Sequence, residues 1–251
     1  MADAELLELK SIIILTGAGI SRESGLDTFR DPDGIWAKVR IEDVATPEAF
    51  ERDPQRVHAF YNARRQQLLS QTVRPNSAHA ALAELEQRLE SDIPRADGRR
   101  SDFLLVTQNI DDLHERAGSR NLLHMHGEIL KARCARSGRA YECRRDLDVE
   151  ERCECCGGRG TLRPHVVWFG ETPLEMERIG AALERCALFV AIGTSGQVYP
   201  AAGFVEQARR AGARTVELNA EKTDLSERFD EHLIGPATEL VPRFVETLLK
   251  Q

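Results

Sequence analysis

The sequence is poor in aromatic residues and contains no long apolar run. Aromatic side chains make up 6% of its 251 residues. No uninterrupted apolar stretch approaches the roughly 18 residues that a transmembrane helix requires, and the N-terminus lacks a signal-peptide pattern. We therefore expect a cytoplasmic protein without a membrane or secretory segment.

Positive charge is also in short supply. The formal net charge is −7 and the sequence pI is about 5.6, so there is no general electrostatic case for nucleic-acid binding. We expect neither nucleic acid nor a membrane among its direct partners. At 251 residues the chain can bury a substantial core, as one large domain or as a main domain with a small module.

Cysteine is nearly absent outside one short segment. Five of the six cysteines lie between Cys134 and Cys156, which favours a metal site over a disulfide framework and indicates a reducing compartment. Residues 128–164 are rich in Arg, Cys, Gly and Glu, a composition that cannot build its own apolar core. We predict a small zinc-binding module over 128–164, inserted into a larger domain formed by 1–127 and 165–251.

The zinc ligands can be assigned only in part from the spacing. The expected ligands to a structural zinc are Cys134, Cys153 and Cys156. The upstream half of the site is incomplete, because Ser137 stands where a second cysteine would be expected. Cys143, Cys155 or another group completes the site, and reduced thiols without a metal are the alternative.

Apolar runs and helical patterns alternate along the chain. Strands are predicted over 12–15, 103–107, 122–126, 166–169, 188–192 and 215–218, and helices over 54–70, 77–90 and 239–250. This alternation is typical of an α/β fold, a Rossmann-like doubly wound parallel sheet with helices on both faces. A helical insertion is expected at about 40–75.

The first predicted strand runs directly into Gly17-Ala18-Gly19. Glycines between a strand and a helix let the backbone approach a phosphate, and the helix start offers free N–H groups, although tight strand–helix packing is the alternative. Arg22 occupies the position of the third glycine of a hydride-transfer dinucleotide motif.

A polar, turn-rich loop follows at 27–34, and Phe29, Arg30 and Trp36 lie in or beside it. A long loop with aromatic and charged groups next to a phosphate site is a candidate lid. We therefore expect this loop to cover the cofactor.

Four polar loops follow predicted strands, at 17–21, 108–111, 193–195 and 219–221. In an open α/β sheet, ligands bind outside the carboxyl ends of the strands. We therefore expect the four loops to meet at one crevice, although capping of the neighbouring elements explains any one of them alone.

Two histidines lie near the end of another predicted strand. Alternation places His124 and His126 on the same face, so their spacing cannot choose between them. Either one is a candidate general base, because an unperturbed histidine has a pKa of about 6.5, or a structural histidine.

The helix predicted over 54–70 carries an arginine on its apolar stripe. Arg64 lies three residues after Tyr61 and is therefore adjacent to it on the helix surface. Either Arg64 extends to solvent at the core margin, beside a solvated Arg65, or it binds a carboxylate together with Tyr61.

Several motifs occur in an order that resembles one family. They are Gly17-Ala18-Gly19-Ile20-Ser21, Ser24-Gly25, Phe29-Arg30, Thr107-Gln108-Asn109-Ile110-Asp111, His126-Gly127, Gly193-Thr194-Ser195 and the cysteine module. Taken together, the chain resembles the sirtuins, NAD-dependent protein-lysine deacylases, over nearly all of residues 10–245. The resemblance selects His126 as the catalytic base, because the family's base precedes a glycine.

The resemblance implies an NAD site and a structural zinc. The NAD-binding residues that it implies are Gly17, Ala18, Gly19, Ile20, Ser21, Gly25, Thr28, Phe29, Arg30, Trp36, Gln108, Asn109, Ile110, Asp111, Gly193, Thr194, Ser195, Asn219, Ala220, Glu221 and Ala237. NAD would be consumed: the acyl-lysine oxygen attacks the nicotinamide ribose, nicotinamide leaves, and the acyl group passes to the sugar.

The segment 164–171 resembles the family's substrate strand, to which an acyl-lysine peptide adds in extended form. The residues implied in substrate binding are Tyr61, Arg64, Val166, Val167, Trp168, Phe169 and Gly170. The Phe60-Tyr61-x-x-Arg64 pattern resembles the class III branch, which acts on succinyl- and malonyl-lysine and, in bacteria, on acetyl-lysine. An ADP-ribosyltransferase or NAD hydrolase that uses the same cleft, and a non-catalytic NAD-sensing module, are the alternatives.

Overall fold

The computed structural model describes residues 11–26, 39–91 and 102–250. The strands are β1 (Ser11–Thr16), β2 (Asp102–Thr107), β3 (Leu122–His124), β4 (Gly127–Cys134), β5 (Ala140–Glu142), β6 (Leu162–Val166), β7 (Leu188–Ile192), β8 (Arg214–Asn219) and β9 (Glu231–Ile234). The α-helices are α1 (Ile41–Val44), α2 (Pro47–Arg52), α3 (Pro54–Leu68), α4 (Ser77–Ser91), α5 (Leu113–Ala117), α6 (Met176–Leu183), α7 (Phe204–Arg210) and α8 (Ala237–Lys250).

A six-stranded sheet in the order β3-β2-β1-β7-β8-β9 forms the centre of the molecule. All five of its strand pairs are parallel. Strand β1 lies inside the sheet and is buried along its whole length, as its run of β-branched residues predicts. The predicted doubly wound α/β fold is therefore confirmed.

The two faces of the sheet carry different helices. Ile12 and Ile14 belong to a core that includes apolar side chains of α4 and α8. Ile13 and Leu15 point to the opposite face and belong to a core with side chains of α6 and α7. The alternation of one strand thus distributes its side chains between two helical layers.

A second, three-stranded antiparallel sheet has the order β5-β4-β6. The segment 166–169 was predicted as a strand of the main sheet, and this prediction is wrong: β6 ends at Val166 in the small sheet. The next amides bond elsewhere, since the Trp168 N–H donates to the Glu171 carboxylate and the Phe169 N–H to the Ala45 carbonyl. The division of the chain into a module at 128–164 and a main domain remains a prediction.

Helices α1 to α3 lie in the region where a helical insertion was expected, and they pack on the small sheet. Arg65 of α3 was expected in solvent, but it is fully buried. Its Nε donates to the Ile129 carbonyl at 3.0 Å and its Nη1 to Asn62 Oδ1 at 2.7 Å. The prediction failed because α3 buries a wider face than the apolar stripe alone indicates.

No helix within the described ranges combines the length and the apolar character that a bilayer crossing demands.

The loops after β1 and β7 touch through glycine backbones. The Gly19 N–H donates to the Gly193 carbonyl at 2.8 Å, and the Gly17 N–H donates to the Ile192 carbonyl at 2.9 Å. A Cβ atom on Gly193 would lie 2.5 Å from the backbone nitrogen of Ile20, and the φ angle of Gly193 is +61°. Glycine is therefore required at position 193 for both space and conformation.

We expect Gly193→Ala to lower the thermal unfolding midpoint and to weaken NAD binding by about tenfold or more. The left-handed conformation alone costs alanine about 1–2 kcal/mol, and the steric overlap separates the two loops and breaks their hydrogen bond. Isothermal titration with NAD and thermal denaturation measure the two effects.

Gly212→Ala is the matched control, because Gly212 has a φ of +83° but nothing within 4 Å of its added Cβ. Gly212→Ala should lower the thermal unfolding midpoint only through the cost of a positive φ angle, and it should bind NAD with the wild-type affinity. Equal NAD affinities for the two variants would contradict the requirement for glycine in the Gly19–Gly193 contact.

Candidate active site

The predicted polar loops meet at the carboxyl edge of the large sheet. Gln108 Nε2 donates to Thr194 Oγ1 at 3.2 Å, and Asn219 Nδ2 donates to the Thr194 carbonyl at 2.7 Å. Asn109 Nδ2 donates to the Gly17 carbonyl at 3.1 Å. Side-chain hydrogen bonds thus join the loops after β1, β2, β7 and β8 into one crevice, as the parallel strand order requires.

The Ser21 hydroxyl lies at the centre of a buried network. It donates to Asp111 Oδ2 at 3.1 Å and accepts from Asn109 Nδ2 at 3.1 Å. His79 Nε2 lies 3.4 Å from the same oxygen. Because the Ser21 proton is donated to Asp111, the hydroxyl can only accept from His79, so Nε2 carries the proton. The other ring nitrogen, Nδ1, lies 3.3 Å from the Asn76 backbone nitrogen and 3.0 Å from Asn76 Oδ1. All the hydrogen-bonding capacity of the hydroxyl is therefore used.

Burial shifts the protonation of this network. Desolvation raises the pKa of Asp111 to about 6, although hydrogen bonds from the Leu113 N–H and the Ser21 hydroxyl oppose the shift. Desolvation also lowers the pKa of His79 to about 4, with a smaller contribution from Arg116. His79 is therefore neutral near pH 7 and keeps the tautomer that Ser21 requires.

His79 was not among the residues that the sequence pointed to. It lies on the buried face of α4, where a histidine is easily taken as a core residue. The available signal is Asn76 three residues earlier, a residue type that commonly caps a helix.

His126 lies just beyond β3, against the loop that follows β2. Its Nδ1 donates to the Gln108 carbonyl at 3.0 Å, and this bond leaves the lone pair on Nε2. Desolvation lowers the pKa of His126 below 6.5, and the bond to Gln108 opposes the shift. A neutral imidazole with a basic Nε2 is the form that a general base needs.

His124 has different partners. Its Nδ1 donates to the Asn109 carbonyl at 3.1 Å, and its Nε2 lies 2.7 Å from the Glu115 carboxylate. Both ring nitrogens are therefore occupied, which leaves no lone pair for proton abstraction. The structure separates the two histidines that the spacing could not.

Seven other predicted NAD residues lie after β8, at the start of α8 or outside the described residues. Ala220 and Glu221 lie exposed after β8, and Ala237 begins α8 and packs against the core beneath the sheet edge. The predicted lid residues Thr28, Phe29, Arg30 and Trp36 lie outside the described residues.

The predicted substrate segment lies next to His126. The Val167 N–H donates to the His126 carbonyl at 2.9 Å, and Phe169 has 47% of its surface exposed. Trp168 is buried, and its Nε1 donates to the Tyr61 hydroxyl at 3.0 Å. The segment 166–170 therefore connects the backbone of His126 to α3.

Tyr61 and Arg64 project from one part of α3. Tyr61 is only 1% exposed, and burial raises its pKa to about 12. The Arg64 guanidinium is half-buried and lies 4.3 Å from the centre of the Phe60 ring. Its positive charge lowers the pKa of Tyr61, a contribution smaller than that of burial. The two side chains thus interact electrostatically at the margin of the apolar core.

The cysteine cluster has the donor set of a structural zinc. The sulfur atoms of four cysteines lie within 4.8 Å of one another: Cys134, Cys153, Cys155 and Cys156. The Cys134 and Cys156 sulfurs are 3.8 Å apart, which matches the separation of about 3.8 Å set by tetrahedral Zn–S bonds of about 2.3 Å. Zinc bound here would be structural, because four thiolates leave no open position.

The structure distinguishes the two candidates for the fourth ligand. Cys155 belongs to the cluster and lies 3.1 Å from the Ser137 hydroxyl, beside the position where a second cysteine was expected, so it is the candidate for the fourth ligand. Cys143 is buried outside the cluster, and its thiol lies 3.4 Å from the Arg145 carbonyl.

We expect Cys155→Ser to lower the zinc content from about one ion per chain to well below one, because a serine hydroxyl is a poor zinc ligand. Mass spectrometry of the metal after dialysis against a mild chelator measures the loss. Cys143→Ser is the control and should retain the zinc. The assignment of Cys155 fails if both variants stay loaded, or if only Cys143→Ser loses the metal.

Comparison with known proteins agrees with this geometry. The sequence model of the Sir2 family matches residues 17–200. A relative named NAD-dependent protein deacylase from Escherichia coli (strain K12) is 55% identical over 246 residues, which is 98% of this chain and 85% of the relative. One of the same name from Shewanella oneidensis is 56% identical over 238 residues, covering 95% of this chain and 94% of the relative.

A solved Sir2 homologue in complex with NAD has the same fold. It matches with a TM-score of 0.85 and 38% identity, and the match covers 98% of this chain and 91% of that structure. The family model and the relatives both extend over most of this chain, so the chain belongs to the Sir2 family.

Proposed function

We propose that this protein removes acyl groups from lysine side chains of other proteins and consumes NAD in the reaction. The position of His126 carries this proposal. Its imidazole is hydrogen-bonded to Gln108 of the NAD crevice, and its backbone carbonyl is hydrogen-bonded to Val167 of the substrate segment. One residue therefore joins the two halves of a site that must bring two substrates together.

The relatives support the same activity. Proteins named NAD-dependent protein deacylase share 54–56% of their residues with this chain over at least 95% of its length. The crevice also suits NAD in its chemistry, because side-chain amides and hydroxyls from four loops can bond to ribose, phosphate and carboxamide groups. Binding of NAD supplies a sugar carbon that can receive the acyl-lysine oxygen when nicotinamide departs.

In this proposal His126 is the general base. Its Nε2 accepts a proton from a ribose hydroxyl, while the Gln108 carbonyl keeps the ring in the required tautomer. Asn109 and Asp111 bind the nicotinamide end of NAD, and the Ser21 hydroxyl holds both side chains in place. One water molecule is consumed when the lysine nitrogen leaves, and the products are nicotinamide, the free lysine and O-acyl-ADP-ribose.

The acylated protein binds as an extended peptide along 166–170. Main-chain pairing of this kind is compatible with many peptide sequences, because the hydrogen bonds involve the peptide backbone and not its side chains. Tyr61 and Arg64 select the acyl group: a succinyl or malonyl carboxylate receives hydrogen bonds from both, and an acetyl group does without them. A cytoplasmic location, which the free cysteines favour, remains a prediction.

We expect His126→Ala to abolish release of free lysine from acetyl- and succinyl-lysine peptides while leaving the thermal unfolding midpoint nearly unchanged. Loss of a general base commonly costs about 10²–10⁴-fold in rate. Mass spectrometry of the peptide and of O-acyl-ADP-ribose follows the reaction, and His232→Ala, which alters a histidine on the edge strand β9, is the control. Release of nicotinamide from NAD without acyl transfer in the wild type would instead favour an NAD hydrolase.

We expect Arg64→Met to weaken desuccinylation by at least about tenfold more than deacetylation, because hydrogen bonds to a charged group contribute about 1.5–3 kcal/mol each. The ratio of kcat/KM values for matched succinyl and acetyl peptides measures the effect. Arg56→Met removes an exposed arginine of the same helix, which pairs with Asp43 at 3.0 Å, and should change neither rate. Equal losses for both peptides would rule out a carboxylate-binding role for Arg64.

A further inference from the structure

An ion pair between a buried arginine and a partly buried glutamate lies beside the substrate segment, and the proposed chemistry does not use it. Arg163 of β6 has a side chain that is only 7% exposed, and it binds Glu171 through two parallel hydrogen bonds. Its Nη1 donates to Glu171 Oε1 at 2.6 Å and its Nη2 to Oε2 at 2.9 Å. These two residues bracket the segment 166–170 in the sequence.

Arg163 also contacts the segment itself. Its guanidinium carbon lies 3.2 Å from the centre of the Trp168 ring, so the two planar groups are in close contact. Its Nη2 donates to the Val166 carbonyl at 2.8 Å. Glu171 completes the arrangement by accepting a hydrogen bond from the Trp168 N–H at 2.8 Å.

Trp168, whose orientation these contacts restrict, is hydrogen-bonded in turn to α3. Its indole N–H donates to the Tyr61 hydroxyl at 3.0 Å, and the two rings lie 6.4 Å apart. Since the hydroxyl oxygen accepts from the indole and Tyr61 stays protonated near pH 7, Tyr61 retains its own proton as a donor. The direction in which it can donate therefore depends on where the indole N–H points.

An apolar side chain could fill the space below Trp168 at a lower desolvation cost than an ion pair. It could not fix the rotation of the indole ring, because dispersion contacts have little directionality. A guanidinium that is hydrogen-bonded through both terminal nitrogens to one carboxylate has a fixed orientation. The indole ring of Trp168, which packs against it, is then fixed in orientation as well.

We propose that Arg163 and Glu171 are positioning residues for acyl-group selection: they orient Trp168, and Trp168 orients the Tyr61 hydroxyl toward the carboxylate of a succinyl or malonyl group. This inference rests on the proposed deacylase function and extends it to two residues that do not touch the substrate. The pair acts on the acyl-lysine side of the site and not on the NAD side.

The chain offers a control for the loss of charge alone. Arg133 of β4 donates to the same Glu171 carboxylate at 2.9 Å, whereas the guanidinium in contact with the Trp168 ring belongs to Arg163. Removing Arg133 thus weakens the charge balance at Glu171 while leaving the guanidinium–indole contact in place.

The test compares Arg163→Met, Arg163→Lys and Arg133→Met with the wild type on matched succinyl- and acetyl-lysine peptides. We expect Arg163→Met to lower kcat/KM for desuccinylation about tenfold more than for deacetylation, the loss that follows when one hydrogen bond to a charged group is misdirected. Arg163→Lys restores the cation without the planar fork and should give an intermediate ratio. Arg133→Met should keep the wild-type ratio, and the KM for NAD should stay the same in all three variants.

A second measurement guards against a variant that fails to fold. The fluorescence of Trp168, isolated by Trp36→Phe in each chain, should shift to longer wavelength in Arg163→Met while the thermal transition stays cooperative. If Arg163→Met does not fold, Glu171→Gln takes its place, with the same direction of change expected.

The inference is overturned if the ratio of the two activities is unchanged in Arg163→Met, or if Arg133→Met changes it equally. A wild type that removes acetyl but not succinyl groups also overturns it and leaves the deacylase assignment intact. A wild type that removes neither acyl group contradicts the proposed function itself, so the two failures are distinguishable.

Discussion

The approach of two backbones, at Gly19 and Gly193, is the constraint on which the site depends. Parallel strands β1 and β7 are neighbours, so the loops that follow them start within one strand spacing of each other. Side chains at these positions would force the loops apart, whereas glycines let one loop donate a hydrogen bond to the other. The floor of the NAD crevice is therefore made of backbone, and the polar side chains of the neighbouring loops are arranged around it.

Burial shifts the pKa values of two side chains in the walls of the crevice. His79 has a pKa lowered to about 4, and the buried Asp111 has a pKa raised to about 6, so both lie far from their behaviour in water. A neutral imidazole can donate through one nitrogen and accept through the other, which is what Ser21 and Asn76 require of His79. Desolvation thus defines the hydrogen-bond directions as well as the charges.

The parts of the fold that follow from local pattern were predictable from the sequence. The apolar run of β1 and the periodicity of the helices predict these elements directly. Gly17, Asn109 and Thr194 follow strand ends, and the parallel order of the strands brings them close together. Arg65 and the segment 166–169 were misread for a common reason. The environment of each is formed by residues that its local sequence does not reveal. Arg65 bonds to β4, which is distant in the sequence. The amides after β6 bond to Ala45, which is also distant, and to the side chain of Glu171, which gives no periodic signal. His79 was missed because a structural buried histidine and a functional one look the same in a single sequence. The exposed edge strand β9 was also missed, because it lacks an apolar run.

The cysteine cluster has an uneven spacing with a thermodynamic consequence. Cys153, Cys155 and Cys156 are almost adjacent in the chain, so a metal that joins them closes only very small loops and removes little disorder from the unfolded chain. Cys134 alone closes a long loop, which contains β5 and the turns after it. In terms of loop-closure entropy, the largest single share of the stabilisation that a zinc ion brings to this region by restricting the unfolded chain comes from the bond to Cys134. The other three ligands determine how tightly the ion is held, and Cys134 determines how much of the chain it organises.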